Sequence, residues 1–172
     1  MNKPDVKLNP NPRMRYEITV KVDGAPGPFD RIEGSVDYKV ANANCVPLTK
    51  VTGATVPPEK RVPVQLHAAG GNTYKGEIFV DLLQDEDYFG MGVCHWSIVG
   101  ASADLFAHKV DFSPAIYKDD ILAGKTVTRY FANGSYKDAD LDRVDIGEQS
   151  PAGYKNASDV FSISLTSQEK HP

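Results

Sequence analysis

Apolar and polar residues alternate with a period of two through much of this chain, and that rhythm is the strongest constraint on its fold. In YEITVKV, Tyr16, Ile18, Val20 and Val22 share one face of an extended strand while Glu17, Thr19 and Lys21 share the other. In RIEGSVDYKV, Ile32, Val36, Tyr38 and Val40 face inward, and Arg31, Glu33, Ser35, Asp37 and Lys39 face water. One dry face and one wet face per strand is the signature of antiparallel sheets. Between these runs, DGAPGPFD carries Asp23-Gly24 and two prolines, which is turn chemistry that cannot continue a ladder.

The rhythm continues in RVPVQLH, with Val62, Val64 and Leu66 inward, and in YKGEIFVDL, with Tyr74, Ile78, Val80 and Leu82 inward. Pro63 lacks a ladder donor and marks its strand as an edge. Gly70-Gly71 between the two runs predicts a hairpin. Further strands are expected in MGVCHWSIVGA, DLFAHKVDF, KTVTRYFAN and SDVFSISL, and in DLFAHKVDF His108 alternates with Phe106, Val110 and Phe112 on the expected core face. The expectation is an all-β antiparallel sandwich or barrel of about eight strands. Helix is expected to be scarce, limited to a short turn around Ile116 to Leu122. Residues 1–13 read as a flexible tether, 14–167 as one β domain and 168–172 as a tail.

Cys45 and Cys94 both fall in strand contexts, and alternation in VCHWSIV puts Cys94 on one face with Trp96 and Ile98. A disulfide between them, beside a buried tryptophan, implies an oxidising compartment, because such bridges persist in exported proteins and are rare in reducing cytosol. The alternative is two unrelated buried thiols behaving as small hydrophobes.

The apolar share of 41%, the charged share of 24% and a formal charge of -4 describe an ordinary globular chain. Lys21, Lys39 and Lys75 are scattered singly and build no basic stripe, so nucleic acid is not an expected partner. No apolar run approaches the length of a membrane span. The N-terminal MNKPDVKLNPNPRM lacks the apolar middle of a signal peptide, so the export reading requires a mature form whose signal has been removed. Membrane contact is expected only through a lipid anchor preceding such a tether.

The residues that could carry chemistry do not assemble into a reaction motif. His67, His95, His108 and His171 show no ligand spacing, and no serine sits in a Gly-x-Ser-x-Gly elbow. Asp138, Asp140 and Asp142 begin a calcium-loop pattern, but Arg143 stands where the turn wants Gly and Gln149 where the bidentate Glu belongs. No metal or cofactor is expected, and the chain is not expected to be an enzyme. Asn133-Gly134-Ser135 and Asn156-Ala157-Ser158 match the glycosylation sequon, which matters only in a eukaryotic secretory pathway. More telling is QDEDYFGMG, where Asp85, Glu86 and Asp87 crowd against Tyr88 and Phe89, and RYFANGSYKDAD, with Tyr130, Phe131 and Tyr136 near acids. Aromatic anchors ringed by carboxylates suit a protein partner bearing basic groups, and the alternative for QDEDYFGMG is a tight turn with Phe89 tucked into the core.

The run Cys45-x-Pro47, the aliphatic hairpin that follows, and DEDYFGMGVCHW together resemble small exported proteins of Gram-negative bacteria, some of them anchored lipoproteins and some immunity partners of toxins delivered between cells. That resemblance implies a periplasmic, non-enzymatic protein that binds a cognate toxin and covers its active site. On this reading the partner-binding residues are Asp85, Glu86, Asp87, Tyr88 and Tyr136. A carbohydrate- or surface-binding sandwich of the adhesin type is the alternative, and a small hydrolase using acidic residues is a third.

Overall fold

The computed structural model describes residues 5–48, 53–137 and 144–171, with 144–145 described through their backbone only. Eleven strands and two short helices follow one another as β1 (Arg15–Asp23), β2 (Arg31–Val40), β3 (Glu59–Val64), β4 (His67–Gly70), β5 (Thr73–Phe79), β6 (Trp96–Ala107), β7 (Val110–Phe112), β8 (Ala115–Tyr117), α1 (Lys118–Leu122), β9 (Thr126–Ala132), α2 (Asn133–Lys137), β10 (Val144–Asp145) and β11 (Val160–Lys170). They form a sandwich. One sheet has the order β4-β5-β1-β11-β9, and the other the order β10-β7-β6-β2-β3 with β8 also on β6. Every pairing is antiparallel except the two-residue ladder of β10 on β7.

The alternating residues do what their spacing dictates. Tyr16, Ile18, Val20 and Val22 are buried against Val36, Tyr38, Leu105, Ile163 and Leu165 from strands of both sheets. Phe112, Phe131 and Phe161 pack ring to ring at 5.2–5.5 Å between centroids, with Phe29 edge-on to Phe112 at 6.0 Å. Such pairs add to the area they bury. α1 closes the rim of the core, placing Ile121 inside and its carbonyl on the buried Ser167 hydroxyl at 2.9 Å.

Pro63 stands on an edge strand as expected, since β3 ends its sheet. The hairpin differs in composition from the expected one. Its strands are β4 and β5, turning through Gly71 and Asn72 at φ 57° and 60°, whereas Arg61–Val64 pairs with β2 in the opposite sheet. The chain changes sheets at Gln65 and Leu66, and glycines make room for it. A Cβ on Gly76 would lie 2.9 Å from the Gln65 carbonyl oxygen and from side-chain carbons of Val64 and Leu66, and one on Gly34 would lie 2.9 Å from the Val64 oxygen. Gly76→Ala is therefore expected to lower stability by about 1–3 kcal/mol, the usual range for overpacking. A fall in the urea midpoint at unchanged slope is the check.

His108 does not alternate into the core. A two-residue turn at His108 and Lys109 flips the parity, leaving His108 exposed at φ 56° while Val110 and Phe112 stay buried. Its amide donates to Asp30 at 2.8 Å, which fixes the turn. Residues 5–13, read from composition as a tether, lie along residues 81–84. Leu8 bridges Leu83, the Asn9 amide donates to the Leu82 carbonyl at 2.8 Å, and the Arg13 and Met14 amides each donate to the Asp81 carboxylate at 2.9 Å. At the other end β11 runs through Lys170, which pairs with Arg15, so residues 168–170 belong to the sheet.

Candidate partner-binding site

Between β5 and β6 the chain leaves the sheets for sixteen residues, 80–95, and this segment builds one pole of the sandwich. A segment without a ladder must satisfy its backbone polar groups some other way. Here the acids of QDEDYFGMG do so. Asp85 Oδ1 accepts from the Trp96 amide at 2.8 Å, and its Oδ2 meets His95 Nδ1 at 3.0 Å. Asp87 Oδ1 accepts from the amides of Met91 and Gly92 at 3.1 and 3.3 Å, closing a loop whose Gly90 and Gly92 hold φ 75° and 113°. Glu86 pairs with Lys7 at 3.0 Å, and the Glu86 carbonyl accepts from the Cys94 amide at 2.9 Å. The hydrogen bond from the Lys7 ammonium to the Glu86 carboxylate, and then that carboxylate's charge, raise the Lys7 ammonium above its ordinary value.

Tyr88 also turns inward. Its hydroxyl donates to the Gln84 carbonyl at 2.6 Å, and its ring meets Trp96 edge-on at 6.3 Å. Tyr88, Phe89 and Trp96 cover a small second core of Val40, Cys45, Val46 and Cys94. Its centre is the disulfide, Cys45 to Cys94, with Cα atoms 5.3 Å apart and a sequence separation of 49. Both cysteines are buried. Asn42 adds a clamp from the β2 side, accepting from the His95 amide at 2.7 Å and donating to the Val93 carbonyl at 2.8 Å.

Beside the exposed Asp85, Asp87 and His95, this frame leaves apolar side chains outside. Met91 and Val93 are 52% and 46% exposed, and Leu48, three residues past Cys45 and so tethered to the same pole, is 65% exposed. The aliphatic contacts were not singled out from sequence, although a methionine and a valine alternating with Gly90 and Gly92 are the available signal. Asp85, Glu86, Asp87 and Tyr88 are brought together as expected, but mainly as the scaffold of the loop. Tyr136 is elsewhere. It is buried at the opposite pole, with its hydroxyl donating to the Pro28 carbonyl and its ring edge-on to Phe29 at 5.6 Å and near His108 at 6.0 Å. Burial, with Asp30 close by, raises its phenol above the ordinary value. β6, whose Trp96 end lies beside Tyr88 and whose Ala107 end lies beside His108, separates the two poles by about 35 Å at the usual strand rise.

The calcium-loop residues Asp138, Asp140 and Asp142 lie outside the described residues. Among the described residues no group of three or more His, Cys, Asp or Glu side chains is arranged to hold a metal ion. An open groove of about 470 Å³ on the first sheet is lined by Glu17, His67, Lys75 and Glu77. Its charges pair among themselves and their neighbours, Lys75 with Glu17 at 3.6 Å and Arg15 with Glu77 at 3.3 Å. A pair of carboxylates that the sequence did not announce, Asp104 and Asp111, stands on the outer face of the second sheet. No protein-family model matches this chain, and no curated protein or solved structure does so either.

Proposed function

We propose that this chain is an exported, non-catalytic protein-binding module of the immunity type, which neutralises a secreted bacterial toxin by docking its disulfide pole into it. One observation carries the reading. Met91 and Val93 are held out to solvent by a segment whose own carboxylates and disulfide have already fixed its backbone. A loop ordered before binding loses little conformational freedom on contact, so its apolar tip contributes more of its burial to affinity. Exposed aliphatic side chains flanked by carboxylates fit a concave apolar site rimmed with basic groups, such as a cleft that binds an anionic substrate.

The disulfide supports export on the redox argument. A carbohydrate-binding sandwich would want a platform of rings, whereas Tyr117 is the single strongly exposed aromatic among the described residues. A hydrolase would want its two carboxylates in the wall of a cleft, and Asp104 and Asp111 stand on an outer sheet face.

The test is calorimetry against the product of the adjoining reading frame, purified in inactive form, with the wild type and the double variant Met91→Asp/Val93→Asp. Wild-type binding that weakens about 100-fold in the variant, or about 2.7 kcal/mol, is expected. Equal affinity of the two proteins would reject the pole as the docking surface, and no binding by the wild type would reject the toxin-inhibitor reading.

A further inference from the structure

On the outer face of the second sheet, three neighbouring strands present carboxylates with, among the described residues, too few cations to balance them. Glu33 on β2 is the direct cross-strand partner of Asp104 on β6, and Asp111 on β7 pairs with Phe106, diagonal to Asp104. The neighbouring cation is Arg31, and it is already committed. Its Nε lies 2.8 Å from Glu33, and its guanidinium stacks over the Phe106 ring at 4.0 Å. Arg61 on β3 is held by Asp37 at 2.8 Å and also feels the charge of Asp104. β10 pairs Val144 with Asp111 and Asp145 with Phe112. Asp111 Oδ1 is buried with no hydrogen-bond partner.

Two adjacent carboxylates that are partly withdrawn from water, while the cations near them are paired to other acids, are most stable when they hold one proton between them. We propose that Asp104 and Asp111 share a single proton in the folded protein, and that losing it loosens β7 and β10 from the edge of the sheet. Ionised Asp111 must hydrate an oxygen that the fold buries, which works against the short β7 strand that carries it and the two-residue parallel ladder of β10 beside it. This inference is independent of the docking pole, which lies at the other end of β6.

The direction of the pH effect follows from proton counting. Burial, then the charge and hydrogen bond of Asp104 and the charge of Glu33, outweigh Arg31 and raise the Asp111 carboxyl from 3.8 to about 7. Between those values the folded state binds more protons than the unfolded chain, so stability falls as pH rises through that window and the loss is complete above it. The titration belongs to the pair as a unit.

Native-state hydrogen exchange at the amides of residues 110–112, corrected for intrinsic rates, tests the idea between pH 5.5 and pH 8.5. Wild-type protection is expected to fall at least tenfold across the range, and in Asp111→Asn to stay level within twofold. Carboxyl carbon NMR of the wild type provides the second measurement, with one of the two aspartates expected to titrate near neutrality. Two aspartates both ionised by pH 5, or a wild-type pH dependence that persists in Asp111→Asn, would overturn the proposal.

Discussion

Replacing Cys45 and Cys94 together with alanine is expected to destabilise the protein by about 4 kcal/mol, the chain-entropy value for a cross-link closing a loop of this length. The separation of 49 residues is large, and the bridge is the one covalent tie between the end of β2 and the segment entering β6. The second core also loses two buried sulfurs and gains a void beneath Tyr88, Phe89 and Trp96. Guanidinium unfolding of the double variant against the oxidised wild type is the measurement. A loss under 1 kcal/mol would mean that Asn42, Asp85 and the Glu86 bridge hold the pole without the cross-link. The order of melting is equally diagnostic. Exchange protection at residues 85–95 should fall before protection in β1 and β11, because the lost atoms belong to the second core, which meets the main core at Trp96.

Phe161→Ala is expected to cost about 3–5 kcal/mol, the range for removing a fully enclosed aromatic ring. Phe161 sits within 6.4 Å of four other rings, those of Phe29, Phe112, Phe131 and Tyr136, and comes from β11, which lies between β1 and β9. Its neighbours are rigid rings on both sheets, so little can collapse into the vacated space. Thermal unfolding should show a drop of roughly 8 °C or more at this chain length. Phe161→Leu, which restores much of the volume, should recover more than half of the loss. By contrast the Met91→Asp/Val93→Asp variant should melt close to the wild type, since those side chains are outside.

The sandwich and its cross-link were legible because period-two alternation and a cysteine beside Trp96 report burial directly. What escaped reading were events at the scale of one or two residues. The turn at His108 and Lys109 reverses which face each following residue occupies, and nothing in DLFAHKVDF marks it, since neither residue is a turn former. The same turn brings Asp111 alongside Asp104, so the carboxylate pair was hidden by the same missed reversal. In residues 5–13 the prolines and asparagines dominate the composition, yet Val6 packs on the core and backbone hydrogen bonds hold the rest.

At the disulfide pole the residue types were visible, but the backbone bonds that their carboxylates make were not. Three consecutive acids in a glycine-rich loop read as free charge, whereas unpaired amides at Met91, Gly92 and Trp96 draw two of those carboxylates onto the backbone. Tyr88 turned inward for a related reason, because the Gln84 carbonyl has no ladder partner and the phenol supplies one. Tyr136 joined the expected site only through its acidic neighbours in the sequence, and the fold sends it to the far end of β6.

The position of β1 between β5 and β11 carries a consequence for how the molecule comes into being. Its first nine-residue strand has residues 162–170 as one of its two neighbours, so the sheet remains half zipped until those residues have emerged. A chain delivered gradually, from a ribosome tunnel or through a translocation pore, therefore cannot complete this sheet before residues 162–170 are free to pair with β1.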